Sequence, residues 1–156
     1  MIILSKTFTT AETILNACTA KKWVIDSLQS INRNLSESEI VAHHFAAVST
    51  NLDRTSAFGI PDNRVFKFWD WVGGRFSVSS AIGVLSLSII FGKEVIEEFL
   101  SGMRNIDENF KNEKNVKQNV SLLLGLIGFY NRTIEGYSNK SILPYNQGLS
   151  TFFNHI

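Results

Sequence analysis

Within six residues, Ser5-Lys6-Thr7-Phe8-Thr9-Thr10 presents four hydroxyls and one amine. The short apolar run Ile2-Ile3-Leu4 precedes it and a segment with helical periodicity follows, which places the hydroxyls in a turn between a strand and a helix. Free backbone N–H groups at the positive end of a helix, with hydroxyls and a lysine beside them, suit a phosphate dianion. The competing reading is that these side chains only cap the helix, and Thr9 with Glu12 has the form of a capping box. The turn lacks the glycines and the Gly-Lys-Ser/Thr order of a Walker loop.

A second constellation is Asp70-Trp71-Val72-Gly73-Gly74-Arg75. Paired glycines let a backbone approach a ligand closely, and an arginine at the mouth of the following helix stays protonated and can hold an oxyanion. A plain turn with a surface arginine is the alternative for this segment taken alone.

Other residues with catalytic or ligating potential carry weaker patterns. His43 and His44 are predicted at the head of an apolar strand, where neighbours point to opposite faces and make a poor metal pair, so one of them is expected to be buried and hydrogen-bonded. His155 has no carboxylate or cysteine nearby, so no metal site is expected. Trp69, Trp71 and the phenylalanines follow strand and helix periods, which predicts core packing, not a stacking surface for nucleic acid. Glu97-Glu98 and Asp107-Glu108 fall on the polar face of a helix and read as solvated charge.

These segments need elements to position them. The spacing predicts a strand at residues 2–4, a helix ending near Ser30 with Ile14, Cys18, Ile25 and Leu28 on one face, and a polar loop from Asn32 to Glu39. Val41 to Val48 is short enough to be a buried strand, Gly59 to Asn63 marks a turn, and Phe66, Phe68 and Asp70 alternate as a third strand would. Ser77 to Phe91 is apolar on nearly all sides and predicts a helix packed within a larger body. Glu94 to Phe110 and Val116 to Tyr130 predict amphipathic helices, Ser141 to Tyr145 a short strand, and Leu149, Phe152, Phe153 and Ile156 a final helical face. Strands separated by helical connections predict a parallel α/β sheet.

Composition sets the bounds. The 156 residues, 44% apolar and 19% charged, are globular in character, long enough for a real core, and show no internal repeat. Fifteen Lys and Arg against fourteen Asp and Glu, interspersed, provide no basic track for nucleic acid or a lipid surface. The single Cys18 excludes an internal disulfide and favours a reducing, cytoplasmic setting. The run from Val78 to Phe91 falls short of the roughly 20 residues a membrane span needs, and Met1 to Leu4 lacks the marks of a signal peptide. A strand at residue 2 leading into a functional turn, and an apolar turn at residue 156 without a cap, predict an internal fragment of a longer chain.

Taken in order, SKTFTTAET with Asn16 and Ala17, HFAAVSTN, FWDWVGGRFSVSSAIG and ILPYNQ resemble the glucose-6-phosphate isomerase family over the length of the chain. The resemblance implies an α/β fold of the sugar isomerase (SIS) type, three-layered and here incomplete, with a parallel sheet flanked by helices. Residues 1–92 would be the later part of a first subdomain and 93–156 the opening of a second. It further implies that Ser5, Lys6, Thr7, Thr9 and Thr10 bind the substrate phosphate, with Ser5, Thr7 and Thr10 as direct hydroxyl contacts, and that Arg75 stabilises an enediolate. The substrates would be glucose 6-phosphate and fructose 6-phosphate, with no metal or organic cofactor and a homodimer as the complete cytoplasmic enzyme. The family's glutamate base, ring-opening histidine and late lysine would lie beyond residue 156, and a further phosphate-contacting segment before residue 1, so these residues alone are expected to be inactive. Two departures stand out: Ser79 where the family often has tryptophan, and Asn146 where many members have aspartate. A non-catalytic sugar-phosphate-binding module is the alternative.

Overall fold

The computed structural model of the chain describes residues 1–151. Two compact units follow one another, one from Met1 to Ile90 and one from Phe91 onward.

The first unit is built on a three-stranded parallel sheet of β1 (Ile2–Leu4), β2 (Ala46–Val48) and β3 (Val65–Phe66), in that spatial order. Its register aligns Ile3 with Ala47 and Ala47 with Val65, and Leu4 with Val48 and Val48 with Phe66. Successive side chains on a strand point to opposite faces. The Ile3–Ala47–Val65 row accordingly joins a core with Phe8, Ala17, Val41, Phe45 and Ile60. That core is completed by partly buried side chains of α1 (Ala11–Ile31) and α3 (Leu52–Phe58), and by Val41 of α2 (Glu37–His44). On the other face Leu4 and Val48 meet Phe68, Val72 and the first turns of α4 (Ala81–Phe91). The sheet is thus flanked by helices on both faces, as the sequence predicts.

Several expectations are corrected in detail. Residues 41–44 belong to a helix, and the second strand begins only at Ala46. Ser36 and Glu39 start that helix with a full capping box: the Ser36 hydroxyl accepts from the Glu39 N–H at 3.3 Å, and the Glu39 carboxylate accepts from the Ser36 N–H at 3.0 Å. The S-x-x-E signature lay inside the segment read as a polar loop, while Thr9 and Glu12 form no such box: Thr10 is the N-cap residue and makes no side-chain capping bond. His43 and His44 consequently sit in the last helical turn, both exposed, and neither is the buried histidine expected. The third strand is two residues long and stops before Phe68, although Phe68 is buried.

On α1 the inward stripe runs through Ile14, Ala17, Val24 and Ile25. Cys18 is exposed, because one residue further along turns a side chain about 100° away from that stripe. Gly59 ends α3 in the left-handed conformation at φ 103°, with its N–H bonded back to the helix. Trp69 and Trp71 are not core residues; both are exposed and stack on one another, with ring centroids 5.7 Å apart.

The second unit pairs α5 (Lys93–Asn112) with α6 (Val120–Phe129), which continues into a single π-helical turn at Tyr130–Ile134. Asn119 joins them. Its side-chain N–H donates to the carbonyls of Phe110 and Glu113, and its oxygen caps α6 by accepting from the Leu122 N–H at 3.1 Å. α5 carries the expected amphipathic pattern, but among its residues only Ile96, in the first turn, is buried. Residues 141–145 form no strand and pair with no neighbour. Leu149 lies in a short 3-10 turn, Gln147–Leu149, while the helical face assigned to Phe152, Phe153 and Ile156 lies outside the described residues, as does His155. No helix among the described residues is long and apolar enough to cross a membrane.

Candidate functional site at the carboxyl ends of the strands

In open parallel sheets the carboxyl ends of the strands converge on loops that are free to meet a ligand. Three such loops follow β1, β2 and β3 here. The first, Ser5 to Thr10, continues the ladder by one bond, Ser5 N–H to the Val48 carbonyl at 3.1 Å, and then leaves the sheet. Ser5 is buried, its hydroxyl 3.2 Å from that of Thr10 across the mouth of the loop. The hydroxyls of the exposed Thr7 and Thr9 form a second pair at 2.5 Å.

Phe8 sets the shape of this loop. It has φ 54°, a left-handed conformation that a bulky residue adopts only when its surroundings impose it. The cause is visible: the ring is buried and meets Phe58 edge-on, with centroids 5.7 Å apart. Anchoring Phe8 inward turns the neighbouring threonines outward. Among the described residues, the N–H groups of Lys6, Thr7, Thr9 and Thr10 donate no hydrogen bond, and Thr10 leaves the first turn of α1 without a side-chain cap. Clustered hydroxyls and unspent N–H groups at the positive end of a 21-residue helix are the kind of donors that suit an anion.

The second loop, Ser49-Thr50-Asn51, supports the first. The Lys6 carbonyl accepts three hydrogen bonds, from the Thr50 N–H at 2.9 Å, the Ser49 hydroxyl at 2.9 Å and the Thr50 hydroxyl at 2.8 Å. Asn51 then caps α3 by accepting from the Arg54 N–H. Sequence reasoning identified this triplet only as a polar strand end. Its resemblance to the Ser5–Thr7 pattern, hydroxyls directly after a parallel strand, was the available signal.

The third loop carries Gly73-Gly74-Arg75. Val72 is buried against Val48 and Phe68, and its N–H closes a turn onto the Trp69 carbonyl at 3.1 Å. Gly74–Phe76 form a 3-10 turn that leads toward α4, with Arg75 exposed. Neither glycine takes a positive φ, and a Cβ on Gly74 would meet nothing within 4 Å, so the protein itself imposes no need for glycine there. Gly83 differs: a Cβ would lie 2.1 Å from the Val78 carbonyl oxygen, so only glycine lets the first turn of α4 close on the preceding segment.

The first and third loops meet through Lys6. Its ammonium donates to the Val72 carbonyl at 3.0 Å and to the Asp70 carbonyl. An open cleft beside this junction is lined by Thr7, Thr50, Asp53, Phe68, Trp69 and Asp70. Among the described residues no group of three or more His, Cys, Asp or Glu side chains gathers as a metal site would.

The ordered set of loops coincides with a sequence family. The family described as phosphoglucose isomerase matches residues 1–156. The chain belongs to the phosphoglucose isomerase family. It is 52% identical over 151 residues to glucose-6-phosphate isomerase of Rhizobium meliloti, a match covering 97% of this chain and 26% of that protein. Identity is 46% over 156 residues to the cytosolic A glucose-6-phosphate isomerase of Oryza sativa, covering all of this chain and 26% of that one. The crystal structure of a glucose-6-phosphate isomerase from Chlamydia trachomatis superposes with a TM-score of 0.72 at 34% identity, covering 99% of this chain and 28% of that one. The chain therefore spans about a quarter of the length of the phosphoglucose isomerase relatives it matches.

Proposed function

We propose that this chain is the sugar-phosphate-holding part of a glucose-6-phosphate isomerase, interconverting glucose 6-phosphate and fructose 6-phosphate. One observation carries the reading: the Ser5/Thr10 and Thr7/Thr9 hydroxyl pairs surround unspent N–H groups at the uncapped start of α1. In this reading Ser5, Thr7 and Thr10 contact the phosphate through their hydroxyls, and the N–H groups of Lys6, Thr7, Thr9 and Thr10 complete the cradle. Holding a dianion remote from the reacting carbons fixes the orientation of the sugar without entering the chemistry.

Aldose–ketose exchange moves a proton between C1 and C2 through an enediolate. Arg75, exposed on a 3-10 turn, is the cation assigned to the developing negative charge. The proton transfer belongs to a carboxylate base that the family resemblance places outside these 156 residues. By the same resemblance the complete enzyme is a cytoplasmic homodimer that needs no cofactor.

Titration of the chain with glucose 6-phosphate, inorganic phosphate and glucose, read by backbone amide NMR, tests the assignment. The two phosphate-bearing ligands should shift the Ser5–Thr10 amides and glucose should not. Equal responses to glucose, or shifts confined to other loops, would remove the phosphate assignment. Isomerase assay of the complete polypeptide carrying this segment separates the catalytic reading from a binding module that turns nothing over.

A further inference from the structure

Lys6 lies within the proposed phosphate loop, yet its side chain is directed elsewhere. An ammonium has three donors. Two of them engage the carbonyls of Asp70 and Val72, 64 and 66 residues away in sequence. The Lys6 carbonyl is held at the same time by three donors from Ser49 and Thr50. The residue is thus fixed at both ends, to the loop after β2 through its backbone and to the loop after β3 through its side chain. The acceptors are main-chain oxygens of the segment running directly into Gly73-Gly74-Arg75, and Val72 is anchored further by burial. Among the described residues Arg75 makes no ion pair, so its placement depends on the backbone that Lys6 ties.

We propose that Lys6 is a positioning residue and not a phosphate ligand: it couples the Ser5–Thr10 loop to the Gly73-Gly74-Arg75 loop, so that an anion held by the first alters the placement of the second. The proposal rests on the reading of Ser5–Thr10 as the anion-holding loop. The positive charge still favours an anion nearby, but the direct contacts fall to hydroxyls and N–H groups. Trp69 and Trp71 flank the Asp70 carbonyl and are exposed, which makes their indole N–H groups reporters of the tied segment.

The test titrates the 15N-labelled chain with inorganic phosphate, reading the Ser5–Thr10 amides and the Trp69 and Trp71 indoles together. In the unmodified chain both sets should move with one midpoint. In Lys6→Met the amides should still respond, with the midpoint raised by less than about tenfold, the step expected for losing one charged contact, while the indoles stay still. Lys6→Arg, which keeps a donor of similar reach, should restore the indole response. A Lys6→Met midpoint raised by more than about tenfold would mark Lys6 as a direct ligand and overturn the proposal. So would indoles that respond as before in that variant. Amides silent in the unmodified chain would overturn the phosphate-loop reading itself, whereas responding amides with silent indoles would overturn the coupling alone. If Lys6→Met does not fold, the Lys6 Nζ resonance of the unmodified chain decides. Slow hydrogen exchange that persists at saturating phosphate supports the tie, and rapid exchange overturns it.

Discussion

Ser5 and Phe8 show how a short polar turn becomes a shaped surface. Ser5 is buried and hydroxyl-paired, so its replacement by alanine removes a directed contact without emptying the core. A hydrogen bond to a charged group contributes about 1.5–3 kcal/mol, which converts to a loss of phosphate affinity of roughly 10- to 100-fold for Ser5→Ala. Phosphate titration by NMR or calorimetry measures it, and the melting temperature should move little. At Arg75 a different split is expected. Arg75→Ala in the complete polypeptide should lower kcat by about 100-fold or more, the scale for one oxyanion-stabilising group, with phosphate affinity nearly unchanged. Equal losses in steady-state turnover and in phosphate binding would contradict the role assigned to it.

At the scale of elements, Gly83 and Ser36 carry the sharper consequences. A methyl at Gly83 would overlap the Val78 carbonyl oxygen, a backbone atom that cannot swing aside. Gly83→Ala should therefore destabilise the first unit by about 1–3 kcal/mol, the range for forced overpacking, as read by urea denaturation. Ser36 governs the start of α2. Its hydroxyl, and then its backbone N–H, hold the Glu39 carboxyl below the usual range, with a smaller contribution from His43. A carboxyl with a lowered folded-state pKa stabilises above its unfolded value, and that stability is lost as pH falls through the folded value. Ser36→Ala should cost about 1 kcal/mol as a lost cap. It should also return Glu39 toward the ordinary range, so that the acid limb of the stability curve flattens; an NMR titration of the Glu39 carboxyl reads the second effect. Asn146 represents a milder case. It accepts from the Gly148 N–H at 2.7 Å, a bond an aspartate carboxylate in its place would accept equally well.

Across the whole molecule the two units differ in how well they bury their apolar residues. The first encloses Phe45, Ala47, Val48 and Ile60 almost completely, with 0–1% exposure. The second leaves Phe99, Met103, Ile106 and Phe110 of α5, and Leu124, Ile127 and Phe129 of α6, substantially exposed. Contiguous exposed apolar surface drives association. The 156-residue chain should bind a hydrophobic dye and self-associate with rising concentration, as sedimentation velocity would show. A monodisperse monomer that melts in one cooperative step would contradict this expectation.

Much of the first unit could be read from local pattern. A β-branched run, a hydroxyl-rich turn and a helical period place Ile2–Leu4, Ser5–Thr10 and α1 in order, because strand pleat, helix repeat and turn chemistry are local properties. The ordered motifs from Ser5 to Gln147 carried the family for the same reason, since side-chain identities survive in the sequence whatever the chain does in space. Tertiary structure decided the rest. Residues 41–44 are apolar enough for either a strand or a helix, and docking Val41 and Phe45 against the sheet chose the helix. Trp69 and Trp71 have an apolar composition that suggests burial, but β3 ends at Phe66 and leaves them on a loop. Lys6 is the clearest instance. Its type and position suggested an anion ligand, and the destination of its ammonium, more than sixty residues away, depends on the parallel register that brings the carboxyl ends of β1 and β3 to the same end of the sheet.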